Sequence, residues 1–323
     1  MKAKRLIAAL LALVMMATAM VSLTSCGEAT DDKYTIGVCQ LVTHDALDAA
    51  TKGFKDAVIA GLGEENVTFL DGNGAGENNT CVTIVNDFVS KNVDLIMANA
   101  TGALQAAANA TLEIPILGTS VTEYGVALEI DDFSGTVGGN ISGTSDLAPL
   151  TEQAEMILEL VPNAKTVGML YCSAEPNSAY QVKVVKEYLQ KKGLKVEDYS
   201  FSASNDVANI AAAAAAKCDV IYIPTDNTAA SCTETINNAV LPTKTPIIAG
   251  EAGICGGCGI ATLSIDYYNL GKKTGEMAVE ILKDGKDISE MPIAYDEAPV
   301  KKYNADICKT LGITPPEGYT ALD

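Results

Sequence analysis

Residues 166–189, TVGMLYCSAEPNSAYQVKVVKEYL, read as a buried strand, a polar loop and an amphipathic helix. Val167, Met169, Leu170 and Tyr171 form the apolar run. After the loop, Tyr180, Val182, Val185, Tyr188 and Leu189 recur near a 3.6-residue period. A strand feeding a helix through a small polar loop is half of a βαβ unit. In open α/β sheets ligands bind outside the carboxyl ends of the strands, where such loops sit. Ser173, Asn177 and Ser178 stand where they can cap the helix, or join its free N–H groups in holding an anion.

The unit has an echo earlier in the chain. Residues 35–58, TIGVCQLVTHDALDAATKGFKDAV, again run strand, polar loop, helix. VDLIMANAT (93–101) matches CDVIYIPTD (218–226), and IPILGTS (114–120) matches TPIIAGE (245–251). Three matched pairs in one order, at nearly constant offset, imply two similar α/β halves. The spacing is too long for a solenoid, whose repeats run to about 50 residues. The fold class expected is α/β, with two Rossmann-like domains, parallel sheets and a cleft between facing strand-end loops. Ile141 to Asp146 reads as a crossing segment, and the helix from Asp266 to Leu282 is expected to return to the first half.

The chain of 323 residues carries 48% hydrophobic and 20% charged residues, as a folded globular protein does. Its net charge of −19 speaks against nucleic acid or an anionic membrane face as a partner. Lys2, Lys4 and Arg5 precede an apolar run that ends in Leu23-Thr24-Ser25-Cys26, the pattern of an export signal. Residues 1–25 are therefore expected to be removed, with 26–33 left as a tether. Removal takes Arg5, the sole arginine, so no guanidinium fork remains to hold an anion. Lysine, hydroxyls or helix-start N–H groups must do so.

Other motifs carry less chemistry. Gly72–Gly76 lacks the lysine of a phosphate loop and reads as a flexible connection, followed by a helix capped by Asn79 or Thr80. Cys255 and Cys258 have no second pair and only distant His44, so they read as a turn with two thiols or a strained disulfide. Cys39 and Cys218 read as small hydrophobes. No metal or other cofactor is expected. His44 has no nucleophile elbow to serve and reads as pocket wall. Asp226 and Glu251 end second-half strands; each can accept from a ligand ammonium, cap a helix or face solvent.

The blocks THDALDAATKGFKDAV, ANATGALQAAANAT, SGTSDLAPLTEQ, LVPNAKTVGMLYCSAEPNSAYQVKV, YIPTDNTAAS, PIIAGEAG and IDYYNLGKKTGEMAV cover nearly all of residues 34–311. They resemble the tryptophan/tyrosine-type substrate-binding lipoproteins of ABC importers. The paired cysteines depart from that family's pattern. The resemblance implies a type I periplasmic binding protein, with residues 34–143 and 266–295 in one lobe and 144–265 and 296–323 in the other. It implies lipidation at Cys26, anchoring on the extracytoplasmic face of the membrane, no enzymatic activity, and a monomer that serves a permease and ATPase. It implies an amino-acid ligand, preferably aromatic. Asp226 is the first choice for the ammonium and Glu251 the second. Ser173, Asn177, Ser178, Thr101, Thr119 or Ser120 would take the carboxylate, and His44, Tyr124, Tyr180 or Tyr267 would cover an aromatic face. Gly102, Asp146 and Asn227 complete the candidate site. The rival readings are a sensor lipoprotein reporting to a signalling receptor and an exported hydrolase.

Overall fold

The strand-loop-helix pattern runs twice through the computed structural model, which describes residues 33–295 and 299–322. The export segment, Cys26 and most of the tether lie outside the described residues. In the first lobe, β1 (Tyr34–Gln40), β2 (Val67–Asn73), β3 (Leu95–Asn99), β4 (Ile116–Val121) and β5 (Ile141–Ser145) alternate with helices. These are α1 (Asp45–Leu62), α2 (Asn78–Ser90), α3 (Thr101–Ala110) and the short α4 (Tyr124–Ala127). The second lobe opens with α5 (Leu150–Leu160). Its strands are β6 (Thr166–Cys172), β7 (Lys195–Phe201), β8 (Val220–Ile223), β9 (Ile247–Ala249) and β10 (Ala261–Ser264). Between them lie α6 (Pro176–Lys191), α7 (Val207–Ala215), α8 (Asn227–Ala230), α9 (Thr233–Val240) and α10 (Ala252–Cys258). The chain then returns through α11 (Tyr267–Leu282) and β11 (Ala294–Tyr295) to the first lobe. It ends in the second with β12 (Val300–Tyr303), α12 (Ala305–Leu311) and β13 (Thr320–Ala321).

The sheets have the orders β11-β5-β4-β3-β1-β2 and β13-β12-β10-β9-β8-β6-β7. Among the described strands every strand-to-strand pairing is parallel except β10 with β12. In each lobe the order reverses beside the first strand, β1 or β6, and a doubly wound sheet opens its crevice at such a reversal. The repeated residues do the same work twice. Asp94 Oδ2 accepts from Thr35 N at 2.7 Å, and Asp219 Oδ2 accepts from Thr166 N at 2.8 Å. Pro115 O accepts from Ile96 N and Pro246 O from Ile221 N, both at 2.9 Å. The echo in the sequence is thus the way two sheets fix their strand starts.

Both faces of each sheet are covered, so the central strands β3, β4, β8 and β9 are buried along their whole length. On the first sheet, Ile36, Val38, Leu95 and Leu117 meet Phe54 and Met277 on one side. Cys39, Ile96 and Ile116 meet Phe88 and Leu104 on the other. The returning α11 lies against α1 at backbone distance. A Cβ on Gly271 would come 1.9 Å from Ala50 O, and one on Gly53 2.0 Å from Tyr268 O. Side chains at these two positions would lever the returning helix off the lobe.

Several local expectations need correction. Ile141–Ser145 is a buried strand, paired with β4 as far as Ser145, so the first crossing follows residue 145 rather than 143. β2 runs on through Asn73, where Gly72 packs tightly on Ile84, which shortens the glycine-rich loop. α2 begins at Asn78 behind Glu77, with neither Asn79 nor Thr80 as its cap. Cys255 and Cys258 lie in α10 as buried free thiols, not in a turn. Among the described residues no helix is long and apolar enough to cross a membrane.

Candidate functional site

The strand ends of both lobes face one cleft. A cavity of about 280 Å³ is bounded by Leu41, Gly76 and Asn78 of the first lobe and by Glu175, Ser202 and Thr228 of the second. A smaller one of about 160 Å³ lies between Thr43, His44 and Asp45 and Ser231, Glu251 and Gly253. Neither lining includes a lysine.

On the first lobe, β3 and β4 end in strained backbone. Ala100 has φ 87° and Ser120 φ 54°, the left-handed region that costs a residue with a Cβ. Ala100 N donates to Thr119 O at 3.0 Å, which ties the two strand ends together. The turn at Ala100 starts α3 with no side chain on its first N–H groups, so they are available to an anion. Thr101 is the first residue of α3, 3% exposed, and Gly102 follows it so closely packed that a Cβ would meet Asn78 Oδ1. Ser120 is 5% exposed, and its Oγ has no hydrogen-bond partner. Thr119 turns the other way: its Oγ1 lies 3.1 Å from Thr144 Oγ1, which lies 2.8 Å from Thr274 Oγ1.

At the crossing from β5, Asp146 is 3% exposed. Its Oδ2 accepts from the Tyr267 hydroxyl at 2.8 Å, while its Oδ1 has no partner. Burial pushes this carboxyl up, against the opposing pull of Tyr267 and Thr122. Burial and the neighbouring Asp146 push the Tyr267 phenol up as well.

The second lobe fills its strand ends with carboxylates. Asp226 Oδ2 accepts from Cys172 N at 2.6 Å and Oδ1 from Ala229 N at 2.7 Å, so both oxygens serve the lobe itself. Burial raises its pKa, with the nearby Glu175 charge adding to the rise. This occupancy argues against Asp226 as the first ammonium partner. Glu251 is buried rather than solvated; its oxygens accept from Ile254 N and Gly253 N, both at 2.5 Å. Burial pushes its carboxyl up to about 7, even though those two N–H groups pull it down.

The remaining candidates divide. Asn177 Nδ2 donates to Thr225 O at 3.2 Å, and Ser178 lies beside Asp226. Ser173 Oγ donates to Phe201 O at 3.1 Å. None of the three caps α6, whose cap position belongs to Glu175. Tyr124 is 1% exposed, stacks on Phe133 and donates to Thr144 O inside the first lobe, so it cannot cover a ligand ring in the cleft. Tyr180 is half-buried near Glu123 of the opposite lobe. His44 Nε2 lies 3.3 Å from Asn227 Oδ1, across the cleft.

Glu175 is the residue that sequence reasoning missed. Its Oε2 accepts from Asn227 N and Nδ2, and its Oε1 from Thr228 N and Oγ1. A signal was present: a proline follows it, and proline favours the first position of a helix, which puts Glu175 at the cap. Among the described residues no group of three or more His, Cys, Asp or Glu side chains could hold a metal ion.

Residues 35–321 match the family described as ABC transporter substrate binding protein. A tyrosine-binding protein from Clostridioides difficile (strain R20291) is 36% identical over 287 residues, 85% of this chain and 80% of the relative. The ABC domain in complex with L-Trp from Streptococcus pneumonia is 33% identical and superposes with a TM-score of 0.85. That match covers 90% of this chain and 100% of the other. The ligand-free, open structure of a substrate binding protein with adhesive properties from Clostridium difficile is 38% identical, with a TM-score of 0.68. It covers 90% of this chain and 99% of the other. With a family match along nearly its whole described length and relatives above 30% identity, this chain belongs to the ABC transporter substrate-binding proteins.

Proposed function

We propose that this chain is an extracytoplasmic receptor, held on the membrane by a lipid on Cys26, that closes on an aromatic amino acid and hands it to a permease and its ATPase. The observation that carries the ligand class is a pair of buried, unpartnered atoms at the first lobe's strand ends, Ser120 Oγ and Asp146 Oδ1. A zwitterion complements them. Its carboxylate would take Ser120, Thr101 and the open N–H groups of α3. Its ammonium would take Asp146, with Glu251 close enough to act on Asp146 through its charge. The names of the relatives, which bind tyrosine and L-Trp, favour an aromatic side chain. The closing motion draws support from the superpositions: the L-Trp complex fits better than the open structure, although it is less identical. Hinge closure of this kind is how binding proteins enclose a ligand.

A thermal-shift screen of amino acids, nucleosides and sugars tests the reading. L-Tyrosine or L-tryptophan at 100-fold its dissociation constant should stabilise the chain by about 2.7 kcal/mol. A shift with a sugar or nucleoside and none with any amino acid would overturn the ligand class.

A further inference from the structure

His44 stands at the cap position of α1, yet its side chain caps nothing. Its ring crosses the cleft instead, with Nε2 3.3 Å from Asn227 Oδ1. The Asn227 amide has one orientation that suits its own lobe. Nδ2 donates to Glu175 Oε2 at 2.8 Å, and Asn227 N donates to the same oxygen at 3.0 Å. Glu175 is fixed in turn, because Oε1 accepts from Thr228 N at 2.8 Å and from Thr228 Oγ1 at 2.7 Å. With its NH₂ directed at a carboxylate, Asn227 presents an acceptor to the other lobe, and an acceptor needs a donor. A neutral imidazole with its proton on Nε2 supplies one. Burial favours that neutral ring, against the pull of Asn227 and of the Glu175, Asp48 and Asp45 carboxylates.

We propose that His44 is a positioning residue: it latches the first lobe onto the Glu175–Asn227 pair and stabilises the closed cleft by a donated hydrogen bond. The latch rests on the reading that the lobes close on a solute, and it adds what holds them shut. The bond exists only when the cleft is closed, since opening returns both groups to water. Its loss should shift the closed-to-open ratio by roughly three- to tenfold.

A cross-link reads that ratio without a ligand. A Cβ on Gly253 lies 3.6 Å from the Asp45 Cβ across the cleft, within the span of a disulfide. In Asp45→Cys/Gly253→Cys, one thiolate attacks oxidised glutathione and releases a glutathione thiolate. The second cysteine then displaces the other glutathione, and this step requires the closed cleft. In ligand-free protein, His44→Ala and His44→Met should slow the second step roughly three- to tenfold. His44→Gln, which keeps a side-chain N–H donor, should restore most of the rate. Unchanged trapping in both donor-free variants, or a glutamine variant as slow as the methionine one, overturns the latch. L-Tyrosine and L-tryptophan test the underlying reading separately. If neither speeds trapping in the parent, the ligand class falls while the His44 comparison still decides the latch. A parent that never cross-links overturns both.

Discussion

The two lobes are wound alike but meet the cleft with opposite chemistry. In the repeat, Thr101 corresponds to Asp226 and Ser120 to Glu251. The first lobe therefore has hydroxyls where the second has carboxylates. The helices after β1, β2 and β3 begin with no side chain on their N–H groups. Those after β8 and β9 begin on the carboxylates of Asp226 and Glu251. At β3 the helix start keeps its donors open, while at the corresponding β8 the lobe satisfies them from within. A symmetric fold thus presents an asymmetric site, with open N–H donors at the end of β3 and none at the end of β8.

The sharpest break between the lobes is expected in stability. Asp226→Ala would leave the buried N–H groups of Cys172 and Ala229 without acceptors, at a cost of about 2–4 kcal/mol. Thr101→Ala, its counterpart, should stay within about 0.5 kcal/mol, because no native partner is orphaned. Urea denaturation of the two variants measures the difference. Equal losses would mean that the first lobe uses its strand end structurally as well.

A smaller contrast is expected in pH dependence. The folded Glu251 carboxyl titrates at about 7, above its ordinary 4.5, so between those values the folded state binds more protons than the unfolded one. Stability should therefore fall as pH rises through that window. In Glu251→Gln the fall should shrink, whereas Ser120→Ala, at the corresponding place, should keep it. Denaturation midpoints at several pH values check this, and an identical slope in wild type and Glu251→Gln would contradict a Glu251 carboxyl raised by burial.

Much of this architecture was legible in the sequence because its causes are local or periodic. Apolar runs ending in polar loops gave the strands, the 3.6 period gave the helices, and the matched Asp94 and Asp219 marked two equivalent strand starts. What escaped was the allotment of hydrogen bonds. Asp226 lies 54 residues from Cys172, and only the pairing of β6 with β8 brings that N–H to its carboxylate. The same holds for Glu175, whose partners Asn227 and Thr228 belong to another helix. Tyr124 looked like a ring free to cover a ligand, because nothing in its neighbourhood announced that Thr144 and Phe133 would enclose it. A polar residue at a strand end is visible in sequence; whether its atoms are already taken is decided by strands that arrive from elsewhere.

In the proposed reading the first lobe holds the carboxylate of an amino acid at Ser120, and Asp146 at the crossing holds its ammonium. Calorimetric titration of L-tyrosine, tyramine and 3-(4-hydroxyphenyl)propanoate into wild type and Ser120→Ala tests it most directly. Each one-ended analogue should bind roughly ten- to a hundredfold more weakly than L-tyrosine, the worth of a charge-assisted hydrogen bond. Ser120→Ala should weaken L-tyrosine and leave tyramine, which lacks the carboxylate, unchanged. Tyramine binding as tightly as L-tyrosine, or Ser120→Ala weakening both alike, would contradict the assignment of the carboxylate to Ser120 and of the ammonium to Asp146.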